Sequence, residues 1–269
     1  MTAGLILSAV MATTAKAPHP QKDDPLTGVR AGLPARWRGK KTPPKAIEIL
    51  VLAGHADSQG IEGAGTSGAA VDRGGARPMD PRMRDELFWN RRIRDAVVKT
   101  GQARGLNIRS YEPDQLTIHN EDDPRTNWSV GRRHHDAGGY PLEIHFDAYG
   151  HQGVGSGLIP NLRSPASRID ESLALNFGRY PLNFRGGLGA PRRGISLLEI
   201  GKLEGQLERK LRDPESRDAV VTALALRIVE AIELGIGEAP PPAQKLSSPP
   251  DADDSAPQGR DRRTSVADG

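Results

Sequence analysis

Residues 46–55 read AIEILVLAGH, and this stretch decides the fold class. The apolar run over residues 46–53 is bounded by Pro44 and Gly54, which is typical of a strand buried on both faces. Strands of this kind occur in parallel or mixed sheets. We therefore predict an α/β fold, with a mostly parallel or mixed twisted sheet, helices on both faces and a single domain.

The elements after this strand fit such a sheet. Apolar residues at helical spacing predict a helix over residues 84–104, with Gly105 as its C-terminal cap. The segment LNIRSY at 106–111 predicts the next strand, so that strand, helix and strand form a βαβ unit. In the last helix, Asp213 is the predicted N-cap and Pro214 the first helical residue. The remaining predicted elements are helices over 127–136 and 164–177, strands over 141–147 and 194–200, and the last helix over 214–235.

Both ends of the chain differ from this region in composition. An apolar run in the first 17 residues precedes Ala15-Lys16-Ala17, the small-x-small pattern of a signal-peptidase site, but no basic residue comes before it. A cleaved signal and a frayed terminus both stay open, and residues 18–45 predict a Pro/Lys/Arg-rich arm. Residues 238–269 predict a disordered tail. The folded domain is thus predicted over 46–237, and we expect it to fold without either end.

Composition excludes several kinds of site. Because the chain has no cysteine, disulfides and thiolate zinc sites are excluded, and a metal site must use His, Asp and Glu. The net charge of +3, from 37 basic and 34 acidic residues, argues against nucleic-acid binding. No apolar stretch reaches the roughly 20 residues of a transmembrane helix. The predicted location is the cell envelope or periplasm if the N-terminal segment is a signal, and the cytoplasm otherwise.

Three potential metal ligands follow or adjoin predicted strands. His55 comes directly after the first strand, where Gly54 is expected to let the backbone turn. Glu86 lies in the first turn of the helix over 84–104, and His145 near the end of the strand over 141–147. Ligands of open α/β sheets bind beyond the carboxyl ends of the strands. Two imidazoles and one carboxylate leave the fourth position of Zn²⁺ open, as in a catalytic site. Glu62 is the alternative carboxylate.

Other charged residues are candidates for substrate chemistry. Glu199 lies in the apolar run GISLLEI, where an unpartnered carboxylate would be costly, so a partner or a function is implied. Beside a metal-bound water, a carboxylate can act as general base and acid. Arg192 and Arg193 precede this strand and could bind a substrate carboxylate, although a pair of solvated charges is an equal alternative.

Four segments carry a resemblance to a known family. GHADSQG, DELFWN, LEIHFDA and SLLEIGKLEG resemble, in this order, the motifs of the zinc-dependent N-acetylmuramoyl-L-alanine amidases. The similarity covers roughly residues 46–234. It implies one Zn²⁺ per chain held by His55, Glu86 and His145, Glu199 as the catalytic carboxylate, and a peptidoglycan or muropeptide substrate.

The sequence also departs from that family. Ala56-Asp57 stands where the family usually has Gly-Gly, and Phe146-Asp147 where it has a small residue and Asn. The interval between His55 and Glu86 is longer than usual. Two alternatives therefore remain: a zinc peptidase or amidase on another peptide-like substrate, and a non-catalytic module that binds the cell wall.

Overall fold

The computed structural model describes residues 23–24, 27–29, 33, 37–181 and 186–237. Its main sheet comprises β3 (Ile49–Ala53), β4 (Ile108–Ser110), β5 (Tyr140–Asp147), β6 (Gly157–Ile159) and β7 (Ser196–Lys202). The strand order is β4-β3-β5-β7-β6, in which only β6 runs antiparallel to its neighbour. A separate antiparallel pair joins β1 (Asp23–Asp24) to β2 (Gly28–Val29). The predicted α/β class with a mostly parallel, mixed sheet is confirmed.

Helices cover both faces of the sheet. They are α1 (Ala69–Asp72), α2 (Asp85–Ala103), α3 (Asn127–Asp136), α4 (Arg168–Phe177), α5 (Gly189–Arg192), α6 (Gly205–Arg212) and α7 (Arg217–Gly235). Ile49 and Val51 face the larger core, which also contains apolar residues of α2, α4 and α7. Leu50 and Leu52 face the opposite way and pack in a smaller cluster with Trp128 of α3 and neighbours from α5.

The predicted start of the last helix is wrong. Asp213 is the C-cap of α6, a helix that the sequence analysis missed, and α7 begins only at Arg217. The Asp213 side chain accepts hydrogen bonds from the Glu215 backbone N–H at 3.2 Å and from the Ser216 hydroxyl at 2.7 Å. Asp213 and Pro214 therefore form a turn between two helices. Both residue types suit a turn as well as they suit the start of a helix.

Residues ahead of the predicted boundary at residue 46 pack against the domain. Trp37 is only 2% exposed and belongs to the larger core. The backbone N–H of Arg168 donates to the carbonyl of Lys41, and the N–H of Gly39 donates to the Glu171 carboxylate. One buried tryptophan in a Pro- and Arg-rich stretch produces no periodic pattern, so this packing could not be predicted from the sequence.

The two predicted end segments fall mostly outside the described residues. The signal-like segment lies within residues 1–22, and the predicted disordered tail covers residues 238–269, none of which is described. Within the described part of the chain, no helix has the length and apolar character needed to cross a membrane.

Candidate metal centre

Three side chains predicted as ligands converge at one edge of the sheet. A nitrogen of His55, a carboxylate oxygen of Glu86 and a nitrogen of His145 lie within 4.8 Å of one another. Glu86 Oε1 is 3.4 Å from His55 Nε2 and 3.1 Å from His145 Nδ1. The two imidazole rings meet edge to face, with their centroids 4.8 Å apart.

The fold explains this convergence. Because β3 and β5 are parallel neighbours, their carboxyl ends meet at the same edge and bring His55 close to His145. Glu86 is buried in the first turn of α2, where the helix dipole favours a carboxylate. Its Oε2 accepts a hydrogen bond from the Thr66 backbone N–H at 2.8 Å, which leaves Oε1 facing the imidazoles.

The turn that carries His55 is held by three side-chain amides. Asn127 donates to the carbonyl of Ala53 at 2.6 Å, Asn90 to that of Gly54 at 3.1 Å, and Gln59 to that of His55 at 3.0 Å. His55 has a φ of 63°, a left-handed conformation that a residue with a side chain adopts only when its surroundings impose it. These hydrogen bonds supply that constraint, so the imidazole is fixed in place at the edge of the sheet.

The predicted reason for Gly54 is wrong. The residue with positive φ in this turn is His55 itself, and Gly54 is not among the glycines in the left-handed region. A Cβ on Gly54 would instead lie 2.3–2.5 Å from the ring atoms of His145. Glycine is required there because the His145 ring packs directly against the backbone.

Each imidazole has a second polar neighbour on the side away from Glu86. His145 Nε2 lies 3.6 Å from Glu143 Oε1, and His55 Nδ1 lies 3.4 Å from the Ser58 hydroxyl. A carboxylate or hydroxyl in this position orients an imidazole ligand and fixes which nitrogen faces the metal. The arrangement therefore directs His145 Nδ1 and His55 Nε2 towards Glu86.

Glu199 lies beside this group. It is the direct neighbour of His145 in the pairing of β5 with β7, so both side chains point to the same face of the sheet. Its side chain is partly buried, and its Oε2 atom has no hydrogen-bond partner. A carboxylate in this position can exchange protons with a molecule bound at the open side of the centre.

Burial and mutual charge shift the pKa values of these groups. Burial alone would raise the pKa of Glu86, but His55 and His145 outweigh it and hold the pKa below its ordinary value. Burial would lower the pKa of His145, but Glu143 and Glu86 outweigh it and raise the pKa well above its ordinary value. Burial raises the pKa of Glu199 strongly, and the surrounding carboxylates add to this shift against the effect of His145. The cluster thus attracts positive charge.

The donor set fits a zinc ion. Two imidazole nitrogens and one carboxylate oxygen are the ligands of several catalytic zinc sites, which keep a fourth position for water or substrate. Harder cations such as Mg²⁺ and Ca²⁺ prefer an oxygen-only environment. His55, Glu86 and His145 are therefore the residues that would hold the metal, with Glu199 outside the ligand set.

A cavity of about 440 Å³ opens beside His55 and His145. This size falls within the range of small-molecule sites. Trp128 and Leu197 belong to its apolar wall, and Asp57 and Glu143 to its polar part. The lining residues are His55, Asp57, Ser58, Ile61, Glu62, Gly63, Ala64, Ile118, His119, Glu121, Thr126, Trp128, Glu143, His145, Leu188, Gly189, Ala190 and Leu197.

Other predicted site residues lie apart from the group. Glu62 is exposed at the cavity wall, whereas Glu86 contacts both imidazoles. Neither Arg192 nor Arg193 is among the described residues that line the cavity. Arg192 is exposed, and the Arg193 guanidinium stacks over the Trp128 ring at 4.5 Å. Their predicted role in binding a substrate carboxylate stays a prediction.

The two substituted motif positions have local structural roles. Asp57 Oδ2 accepts a hydrogen bond from the backbone N–H of Asn127 at the start of α3, at 2.6 Å. Asp147 accepts from the N–H groups of Ala148 at 2.8 Å and Gly155 at 2.6 Å, which closes the loop after β5. Both aspartates therefore fix backbone segments around the centre.

Several residues that support the site could not be recognised from the sequence. Gln59 lies in the GHADSQG motif and Asn127 at the start of α3, but neither segment indicates that its side-chain amide holds the His55 turn. His119 also lines the cavity, and the sequence around it forms no motif that indicates this. Glu143 lies two residues before His145 on the same strand, so both side chains point to the same face. The alternation of polar and apolar residues in LEIHFD was the available signal that this strand has one polar face.

Comparisons with known proteins give low similarities. No protein-family model and no curated protein matches the sequence. Similar solved structures include the catalytic domain of CwlV, an N-acetylmuramoyl-L-alanine amidase from Bacillus (Paenibacillus) polymyxa, at 15% identity and a TM-score of 0.45, covering 69% of this chain and 96% of that one. The catalytic domain of the CD27L endolysin, which targets Clostridia difficile, has 17% identity and a TM-score of 0.45, with coverages of 71% and 99%.

A third structure, the N-acetylmuramyl-L-alanine amidase Ami1 from Mycobacterium smegmatis, has 14% identity and a TM-score of 0.41, with coverages of 71% and 99%. Two of these three structures are thus named as amidases of the kind that the four sequence motifs resemble. At these identities and TM-scores the likeness carries no argument about function, which has to come from the residues of the site.

Proposed function

We propose that this chain is a zinc-dependent amide hydrolase that acts on peptidoglycan and cleaves the bond between N-acetylmuramic acid and L-alanine. The observation that carries the proposal is the convergence of His55, Glu86 and His145 within 4.8 Å. Glu199, the neighbour of His145 across the strand pair, adds a carboxylate outside the ligand set. The substrate is inferred from the resemblance of the four motifs to the muramoyl-alanine amidases.

The residues have distinct roles in this reaction. His55, Glu86 and His145 would hold one Zn²⁺, which supplies Lewis acidity to the scissile carbonyl and to the attacking water. Glu199 takes a proton from that water as its oxygen bonds to the carbonyl carbon. Glu199 then delivers the proton to the leaving nitrogen as the C–N bond breaks, which yields a carboxylic acid and a free amine. Glu143 and Ser58 keep the two imidazoles in their orientation.

This function implies a cell-envelope location, since peptidoglycan is found there. The signal-like pattern at Ala15-Lys16-Ala17 supports the same location. Ala56-Asp57 and Phe146-Asp147 depart from the family pattern close to the centre, and this departure favours a second candidate, hydrolysis of another peptide-like amide.

The test is Glu199→Gln, compared with the unmodified chain and with Glu230→Gln, the same change on the exposed side of α7. Glutamine keeps the size of the side chain but cannot transfer the proton. We expect close to one zinc per chain in all three proteins. Release of dye-labelled fragments from purified cell wall should fall about 10²- to 10⁴-fold in Glu199→Gln alone.

Three other outcomes would contradict parts of the proposal. Equal release by Glu199→Gln and the unmodified chain would make Glu199 a structural carboxylate. Zinc binding without any release would exclude peptidoglycan as the substrate. Binding to cell wall without zinc would identify a non-catalytic wall-binding module.

A further inference from the structure

The cavity beside the candidate metal centre is acidic. Asp57, Glu62, Glu121 and Glu143 line it, whereas the described lining residues include no lysine and no arginine. This charge distribution does not suit a substrate carboxylate. It suits a group that carries positive charge, because opposite charges attract most strongly where water is excluded.

Two of these carboxylates already have partners. Asp57 accepts a hydrogen bond from the backbone N–H of Asn127 at 2.6 Å. Glu121 Oε1 is 3.3 Å from a guanidinium nitrogen of Arg193. Of the other two, Glu62 is exposed, so its carboxylate is solvated. Glu143 is different, because it is buried.

The side chain of Glu143 is only 3% exposed. Its Oε1 atom is directed to His145 Nε2 at 3.6 Å, and its Oε2 atom is buried without a hydrogen-bond partner. A buried carboxylate oxygen without a donor is unfavourable, and most such atoms in proteins have one. A donor from a bound ligand in the cavity would satisfy it.

The rest of the cavity favours an aliphatic segment next to that donor. Ile61, Leu188 and Leu197 contribute apolar side chains, and Trp128 contributes an aromatic ring. A volume of about 440 Å³ accommodates an amino-acid side chain together with part of the backbone. A mostly apolar wall with a few polar groups is typical of sites in which those polar groups orient the ligand.

We propose that the cavity binds a primary ammonium group at the end of an aliphatic side chain of the substrate, with Glu143 Oε2 as its acceptor. The proposal rests on the amide hydrolase function and specifies its substrate class. An ammonium fits better than a guanidinium, because Oε1 of Glu143 is directed to His145 and only one oxygen remains for the ligand. Glu62, which is exposed at the cavity wall, adds long-range attraction.

Two hydroxamates of equal chain length test this assignment. Hydroxamates bind catalytic zinc, and 6-aminohexanohydroxamic acid carries a terminal ammonium that its N-acetyl derivative lacks. We expect calorimetric titration of the zinc-loaded full chain to give a Kd about 10- to 100-fold lower for the ammonium compound, the range for a hydrogen bond to a charged group.

Variants localise the effect. Glu143→Gln should reduce the ratio of the two Kd values to below about 3, because a hydrogen bond to a neutral acceptor contributes less. Glu62→Gln should reduce the ratio less, and Glu230→Gln, a distant exposed residue, should leave it unchanged. Zinc content is measured for every protein.

The outcomes separate this inference from the proposed function. Equal binding of both hydroxamates to the unmodified chain would overturn the ammonium site and leave the zinc centre intact. Binding of neither to a chain that was offered zinc would overturn the zinc centre and this inference with it. The ratio of the two Kd values for the unmodified chain tests the ammonium site even if Glu143→Gln loses its metal.

Discussion

Along β5, neighbouring residues are all buried but face opposite surroundings. Leu142 and Ile144 lie in the larger apolar core, whereas Glu143 and His145 face the candidate metal centre. Burial of the first pair stabilises the fold, because it removes apolar surface from water. Burial of the second pair costs free energy unless partners compensate. Equal burial can therefore serve stability on one face of a strand and chemistry on the other.

The largest effect is expected from a substitution on the polar face of β5. His145→Ala removes one of the three candidate ligands and should lower the zinc content from close to one per chain to almost none. The affinity for zinc should fall at least ~100-fold, which exceeds the loss expected for a residue that only positions a ligand. His151→Ala is the matched control, because His151 is exposed outside the group. Metal analysis of both variants checks this, and normal zinc in His145→Ala would refute the ligand assignment.

A substitution on the apolar face of β5 should lower stability and leave the metal in place. Ile144 is fully buried, so Ile144→Ala should lower the free energy of unfolding by about 2–5 kcal/mol through lost contacts and a cavity. Urea unfolding measures this, with Leu226→Ala as control, since Leu226 is 37% exposed on α7. If Ile144→Ala lost zinc without losing stability, the two faces would not be separable.

A smaller effect is expected from the segment that extends the apolar core beyond the predicted domain. Trp37→Ala should lower the free energy of unfolding by about 3 kcal/mol, the lower end for a buried tryptophan, because Trp37 packs at the start of the folded region. Arg38→Ala, at an exposed neighbour, should change it by less than about 0.5 kcal/mol. Unchanged stability after deletion of residues 1–45 would contradict this expectation and support the predicted boundary at residue 46.

The smallest effect concerns a buried histidine outside the centre. Burial lowers the pKa of His134, whose Nε2 lies 2.9 Å from the carbonyl oxygen of Glu48. Because the unfolded chain takes up this proton more readily, His134 stabilises the fold above the unfolded pKa of about 6.5, and the contribution is lost as pH falls below it.

The difference in unfolding free energy between the unmodified chain and His134→Gln should therefore shrink as pH falls from about 7.5 to about 5.5. Measuring both proteins after chelator treatment removes any contribution of metal binding to this difference. A difference that grew towards low pH would mean that protonated His134 is the stabilising form.

Much of the fold could be predicted because its signals are local. The apolar run before Gly54 and the alternation in LEIHFD predicted two strands, and the helix over 127–136 has the predicted bounds. The start of α7 could not be predicted, because Asp213 and Pro214 suit both a helix start and a turn, and the packing of α6 decides between them.

The candidate site also contains residues that could be predicted from the sequence and residues that could not. His55, Glu86 and His145 were identifiable from their positions at strand ends and the start of a helix, and from the order of the motifs. The amides of Asn90, Asn127 and Gln59 that hold the His55 turn could not be ranked above other polar residues. Their role depends on which carbonyls come within reach after folding.

The α/β class, the absence of thiol ligands and the four residues around which the function is proposed all follow from the sequence, because periodicity, composition and motif order are properties of the chain. Other features become visible only in the folded protein: His55 adopts a positive φ, Gly54 makes room for the His145 ring, and Glu143 Oε2 is buried without a partner. These features arise from contacts between segments distant in sequence, and such contacts exist only once β3, α2 and β5 have packed together.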